Sequence, residues 1–198
     1  VNIASTEDRI ELGQCTQLFT LQSVVKVFSF MVAMNHHGIE EIMRYVDVEP
    51  TGDSFDSIVR LESHNNKPFN PMINAGAITV ASLLPGETMH EKVKSVTLFL
   101  EKIIGKKVHI DNEVYLSEYR AADYNRAIAY ILQANGFLKS DVEEALQVYL
   151  QLCSISVNVE DLAKMALYFA TNGENSATNC SKEMIHIAKA LMFTCGMY

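Results

Sequence analysis

The chain has 198 residues, 48% hydrophobic and 20% charged, with 24 acidic against 16 basic side chains and a formal net charge of −8. This supplies a substantial core for one globular domain, and the absence of a Lys/Arg-rich run or basic face argues against a nucleic-acid partner. No apolar run reaches the ~18 residues of a membrane span, no signal peptide is read, and Cys15, Cys153, Cys180 and Cys195 form no C-x-x-C pair, so the expectation is a soluble cytoplasmic protein with free thiols, no metal and no cofactor.

In chain order, residues 1–20 carry the convincing strand signal. Arg9-Ile10-Glu11-Leu12 alternates polar and apolar, Gly13 turns, and Gln17-Leu18-Phe19-Thr20 leads onward. From Leu21 the pattern becomes helical. Thr20 is the expected N-cap of a helix over about 21–37, wrapped in Val24, Val25, Val27, Phe28, Phe30, Met31 and Val32 and stopped by Gly38. A short helix is expected over Ile39–Val46. Residues 49–70 read as a long connection pinned by Phe55, Ile58, Val59 and Leu61, and a loop of that length usually carries function.

Asn70 then reads as N-cap and Pro71 as first turn of a helix almost free of bulk, Ile73-Asn74-Ala75-Gly76-Ala77-Ile78, which ends at Pro85-Gly86. Asn74 is the polar side chain of that run and needs hydrogen-bond partners if buried. Met89–Ile104 is amphipathic and closed by Gly105. Asp111 to about Tyr119 and Asp123 to about Asn135 form a helix pair carrying Glu118 and Asn125, with a break near Ala121-Ala122. Ser140-Asp141-Val142-Glu143 reads as a capping box before the helix with Tyr149 and Cys153. Helices over about Val159–Thr171 and Lys182–Thr194 follow.

Ser23 and Lys26 are three residues apart, so hydroxyl and amine lie on one face of a helix. A serine becomes a useful nucleophile when a base takes its proton, and burial together with the positive end of the helix dipole favours a neutral lysine. Ser-x-x-Lys arises about once by chance in a chain of this length. A first-turn polar serine beside a lysine reaching for solvent is therefore the competing reading. Glu118 has a similar alternative as a solvated acid near Arg120 or Arg126, Asn74 as a buried helix polar, and Tyr149 as a core aromatic. His36-His37 before Gly38 fits a helix C-terminus better than a metal site.

Six blocks in order resemble the serine-dependent glutaminases. They are Leu21-Gln22-Ser23-Val24-Val25-Lys26; Glu49-Pro50-Thr51-Gly52; Lys67-Pro68-Phe69-Asn70-Pro71-Met72-Ile73-Asn74-Ala75-Gly76-Ala77-Ile78; Ser117-Glu118 with Asn125-Arg126-Ala127-Ile128-Ala129-Tyr130; Tyr149-Leu150-Gln151-Leu152-Cys153-Ser154; and Thr194-Cys195-Gly196-Met197-Tyr198. The resemblance implies an α+β fold like that of the serine β-lactamases and penicillin-binding proteins, an antiparallel sheet beside a helical domain. Residues 1–198 would be a single, incomplete catalytic domain, with sheet strands in 1–20 and the mainly helical part in 21–198.

The same resemblance implies hydrolysis of L-glutamine to L-glutamate and ammonia through a γ-glutamyl-serine intermediate, by a homodimer or homotetramer. Ser23 would be nucleophile, Lys26 base and Tyr198 proton relay. Glu118 would take the substrate ammonium, Asn74 and Asn125 its carboxylate, and Tyr149 would stand near the amide. An upstream tyrosine and a later Lys-Ser-Gly strand of the family are expected outside this chain. Two other functions compete: a penicillin-interacting Ser-x-x-Lys enzyme, which lacks support because no Ser-Asp-Asn or Lys-Thr-Gly triplet follows, and a non-catalytic amino-acid-binding or scaffold fragment.

Overall fold

The computed structural model describes residues 2–4, 8–52, 61, 64–174 and 176–195. It opens with an antiparallel pair, β1 (Asn2–Ala4) and β2 (Arg9–Glu11), in the register Ile3 opposite Ile10. β3 (Phe19–Thr20) leads into a single 3-10 turn over Gln22–Val24 and then α1 (Val25–His37). Every α1 residue from Val25 to Met34 is buried. Gly38, at φ 81°, adopts a backbone that a side chain would disfavour and ends the helix. α2 (Ile39–Ile42) follows and is shorter than the 39–46 expected, the chain passing into turns at Met43.

The centre of the molecule is α3 (Asn74–Ser82), buried at all nine positions. It starts later than Asn70-Pro71 suggests. Asn70 Oδ1 does accept from the N–H groups of Met72 and Ile73, but it closes a turn ahead of the helix rather than capping the helix itself. After α3 come α4 (Met89–Ile104), opened by a Thr88/Glu91 capping box, and, beyond β4 (His109–Ile110), α5 (Asn112–Arg120) and α6 (Asp123–Ala134), the last packed on α3. α7 (Val142–Cys153) is capped by Asp141 accepting from Glu144 N–H, so Ser140 is not the cap and the expected box is absent. β5 (Ile155–Val157), α8 (Val159–Ala170) and α9 (Lys182–Cys195) complete the order.

β5 and β4 correct the expectation that strands stop at Thr20. β5 is the middle strand of a three-stranded antiparallel sheet, β3-β5-β4, with Phe19 opposite Val157 and Thr20 opposite Ser156. Two- and three-residue strands with no Gly or Pro before them leave too little alternation to read from sequence. Thr20 sits in β3 and is not the helix N-cap; its hydroxyl accepts from the Gln22 side chain instead. Leu61 is buried as expected, whereas Phe55, Ile58 and Val59 lie outside the described residues. The four thiols are free, with Cys15, Cys153 and Cys195 buried and Cys180 half-buried. No helix among the described residues is long and apolar enough to cross a membrane.

Small residues in α3 have a concrete cause at Gly76. A Cβ there would stand 1.9 Å from the Asn70 carbonyl oxygen and 2.9 Å from Pro71 Cα, both backbone atoms that cannot step aside. Gly76→Ala should therefore destabilise the fold by about 3 kcal/mol, the upper part of the overpacking range, measured as a lowered urea midpoint.

Candidate active site

Ser23 stands in the 3-10 turn where β3 becomes α1, exposed between exposed Gln22 and Val24. The turn hangs from β5, because Leu21 N–H donates to the Ile155 carbonyl (2.9 Å) and extends the β3–β5 ladder by one rung. Gln22 has φ 49°, a left-handed backbone that a non-glycine residue enters at a cost of about 1–3 kcal/mol. Nothing in the sequence marks it, since glycine is the usual signal for that region. The strained residue lies directly before the serine.

One turn on, Lys26 is 3% exposed. Its Nζ donates to the Met72 carbonyl (2.9 Å) and to Asn74 Oδ1 (2.8 Å), and lies 6.0 Å from the centre of the Tyr149 ring. The competing reading of a lysine reaching solvent is thereby set aside. Asn74 is 8% exposed and in turn donates Nδ2 to Asn125 Oδ1 (2.9 Å), while the Tyr149 hydroxyl donates to Asn74 Oδ1 (3.4 Å).

The lysine fixes both amides. Lys26 and the tyrosine hydroxyl converge as donors on one atom of Asn74, which must be its oxygen; its NH2 must then face Asn125, whose oxygen accepts. The Asn125 NH2 is left pointing away from this chain of bonds, with no acceptor among the described residues.

Glu118, half-buried on α5, makes no hydrogen bond or ion pair to another described residue. It is nonetheless close enough for its charge to raise the pKa of both Tyr149 and Cys153. The arginines suggested as its partners do otherwise: Arg126 pairs with Glu143 (Nε–Oε1 2.6 Å) and Asp123. Tyr119 donates to the other oxygen of Glu143 (2.9 Å), and the Arg126 guanidinium lies 5.3 Å from the Tyr119 ring. This brace ties α5, α6 and α7 together and holds Glu143 below its ordinary pKa, chiefly through Arg126. Glu118 and Asn125 are carried on the braced helices.

Tyr149 is 6% exposed. Burial first, then the neighbouring Cys153 and the charge of Glu118, push its phenol well above the ordinary value, and the Ser23 hydroxyl pulls the other way. It therefore stays protonated at neutral pH and acts as a donor. Burial likewise pushes the Cys153 thiol up to about 12, against the opposing pull of Tyr149 and Lys26. Ser23, Lys26, Asn74, Glu118, Asn125 and Tyr149 thus form one group, assembled from the 3-10 turn, α1, α3, α5, α6 and α7. Tyr198 lies outside the described residues. Separate surface concavities among the described residues include one of about 440 Å³ on α5, lined by Glu113, Leu116 and Arg120, and one of about 410 Å³ where α1 and α3 end, lined by His37, Ser82, Lys92 and Glu144.

The family model described as Glutaminase matches residues 1–198. Glutaminase 2 of Bacillus anthracis is 53% identical over 193 residues, 96% of this chain and 59% of that protein. Glutaminase 1 of Bacillus subtilis is 47% identical over the same shares. The chain therefore spans about three fifths of the length of these curated relatives. Among solved structures, a Bacillus glutaminase in 4.3 M NaCl superposes with TM-score 0.92 at 46% identity, covering 96% of this chain and 65% of that one. A Bacillus subtilis glutaminase in covalent complex with 5-oxo-L-norleucine, formed by reaction with 6-diazo-5-oxo-L-norleucine, superposes with TM-score 0.84 at 41% identity, covering 96% and 61%. The α+β, β-lactamase-like arrangement implied by the sequence resemblance is the fold of these neighbours.

At pH 8 a thiol with a pKa of about 12 is thiolate in only about one molecule in 10⁴. Cys153 should accordingly resist iodoacetamide in the folded protein and become labelled in urea, as read by peptide mass spectrometry; labelling in the native state at the rate of a free thiol would contradict the buried placement.

Proposed function

This chain belongs to the glutaminase family, and we propose that the protein hydrolyses L-glutamine to L-glutamate and ammonia through an acyl-enzyme on Ser23. One observation carries this reading: a buried lysine amine, Lys26, whose N–H bonds are spoken for by Met72 O and Asn74 Oδ1, one turn from an exposed serine. A neutral amine has two N–H donors and one lone pair. Held by those two acceptors one turn from the serine, a neutral amine can use its lone pair to accept the serine proton.

In the first half-reaction Ser23 Oγ forms a bond to the side-chain amide carbon while its proton passes to Lys26. The tetrahedral oxyanion takes a hydrogen bond from the Ser23 backbone N–H. Expulsion of ammonia requires a proton on the amide nitrogen, available from the Lys26 ammonium through Tyr198, whose phenol serves as relay. Water then attacks the γ-glutamyl ester with Lys26 again as base, and Ser23 recovers its proton as L-glutamate leaves. The permanently protonated Tyr149 donates into the site beside Ser23.

Recognition of a free amino acid follows from the unassigned groups. The Glu118 carboxylate suits the substrate ammonium, and the outward NH2 of Asn125 together with the second N–H of Asn74 suits its carboxylate. A ligand lacking either charge would leave the opposite group buried and unpaired, which disfavours peptides and simple amides. No cofactor or metal takes part in this scheme. The exposed Leu116, Tyr124 and Tyr130 on α5 and α6 offer apolar surface for a homodimer or homotetramer, and the free thiols suit a reducing cytoplasm.

Ammonia release from L-glutamine by the intact protein tests the reading. Ser23→Ala should abolish turnover with the fold retained; turnover at the parent rate would refute the mechanism. Glu118→Gln should raise KM about tenfold or more, the loss of a charge-assisted hydrogen bond, with a smaller change in kcat. An unchanged KM would remove Glu118 from the ammonium site.

A further inference from the structure

We propose that Asn70, which touches neither Ser23 nor Lys26, is the positioning residue that sets the Lys26 base; this rests on the acyl-enzyme reading above. The argument turns on a single peptide plane. The Met72 carbonyl and the Ile73 N–H belong to the same rigid peptide unit, and in a trans peptide they point to opposite sides. On one side the carbonyl receives Lys26 Nζ (2.9 Å). On the other, the N–H donates to Asn70 Oδ1 (3.2 Å). Holding that N–H therefore aims the carbonyl, and each of the two hydrogen bonds polarises the plane in favour of the other.

The same Oδ1 accepts from Met72 N–H (3.0 Å), so the turn is gripped at two successive amides. The far end of the asparagine is fixed as well. Asn70 Nδ2 donates to the Glu49 carbonyl (2.8 Å), and that segment is laced to the chain just before Asn70 by Asp47 N–H to Pro68 O (2.9 Å) and Glu49 N–H to Phe69 O (2.8 Å). Asn70 itself is fully buried, and its backbone carbonyl is pressed against Gly76 of α3. Asparagine is the residue that fits. An aspartate would turn a carboxylate oxygen toward the Glu49 carbonyl, acceptor to acceptor, and a serine would keep a weaker acceptor over the turn without reaching Glu49.

This assigns a role that a capping reading of Asn70 does not contain. Lys26 has its second acceptor on Asn74, which is itself held by Asn125 and Tyr149, so displacement of the plane tips the amine away from Ser23 while the side chains of Asn74, Asn125 and Glu118 keep their places. The expected signature is loss of kcat with little change in KM.

The test uses the intact protein with Asn70→Ala, Asn70→Ser and, as a control for lost stability, Ile104→Ala at the buried C-terminal end of α4. Steady-state ammonia release gives kcat and KM; intact-mass measurement of labelling by 6-diazo-5-oxo-L-norleucine reports the reactivity of Ser23 independently of turnover. Asn70→Ala is expected to lower kcat and the labelling rate about 10²-fold with KM changed by less than about threefold, the scale of an ångström-level misplacement. Asn70→Ser, which spares the turn if the alanine variant does not fold, is expected to lose about tenfold in both. Ile104→Ala, matched in melting temperature, should keep kcat. Parent kcat in folded Asn70→Ser or Asn70→Ala, a KM that rises as far as kcat falls, or an equal loss in Ile104→Ala each overturns the proposal. Absence of Ser23-dependent turnover and labelling in the unsubstituted protein would instead overturn the acyl-enzyme reading, and this one with it.

Discussion

A lysine amine sunk into an apolar helix is the constraint on which the rest of this structure depends. Ten consecutive residues of α1 are buried, and Lys26 is the one ionisable side chain among them. An amine in such surroundings is tolerated only if its hydrogen bonds are made. The partners cannot come from α1, whose backbone is already committed to its own helix. They come from the turn before α3, and much of the molecule arranges for that turn to arrive in place: the backbone rungs between residues 47–49 and 68–69, the Asn70 side chain, and a glycine in α3 that lets the turn lie against the helix.

Ser23 is placed by a separate device. α7 runs through Ser154 directly into β5, and β5 pairs with β3, whose next residues are the turn that carries Ser23. Tyr149 and Ser23 are thus set against each other by a two-stranded register rather than by direct covalent neighbourhood. A one-residue slip in that ladder would carry the serine past the tyrosine. The Arg126–Glu143–Tyr119 brace performs the matching task for Glu118 and Asn125, tying α5 and α6 to α7.

The sequence discloses these features unevenly. Long amphipathic helices such as Met89–Ile104 are legible, because a periodic stripe and a Gly105 stop agree, and the structure adds the Thr88 cap. Local chemistry at helix starts is less so: Asp141 rather than Ser140 caps α7, since polar residues in a row leave the choice to tertiary packing, and Asn70 serves a turn because α3 begins only at Asn74. β4 and β5 escape notice because strands of two or three residues are defined by partners far along the chain. Lys26, Asn74 and Asn125 could be named from their motif, but which atom faces which follows only from the donor-only lysine. The left-handed Gln22 has no sequence signature at all.

The hydrogen bonds that build the Lys26 group join residues 46, 48, 51 and 75 positions apart. Not one is a local contact, and the serine turn adds a strand partner on the far side of α7. Such a centre has no precursor in any single stretch of chain, and contacts of this reach form late in folding. During synthesis the early segment that bears Ser23 and Lys26 therefore emerges chemically mute. Its lysine remains an ordinary hydrated ammonium and its serine an ordinary alcohol until α7 and β5 have been made and docked. The separation of these residues along the chain acts as a timing device, so that the buried amine and its partners come together only as the fold is completed.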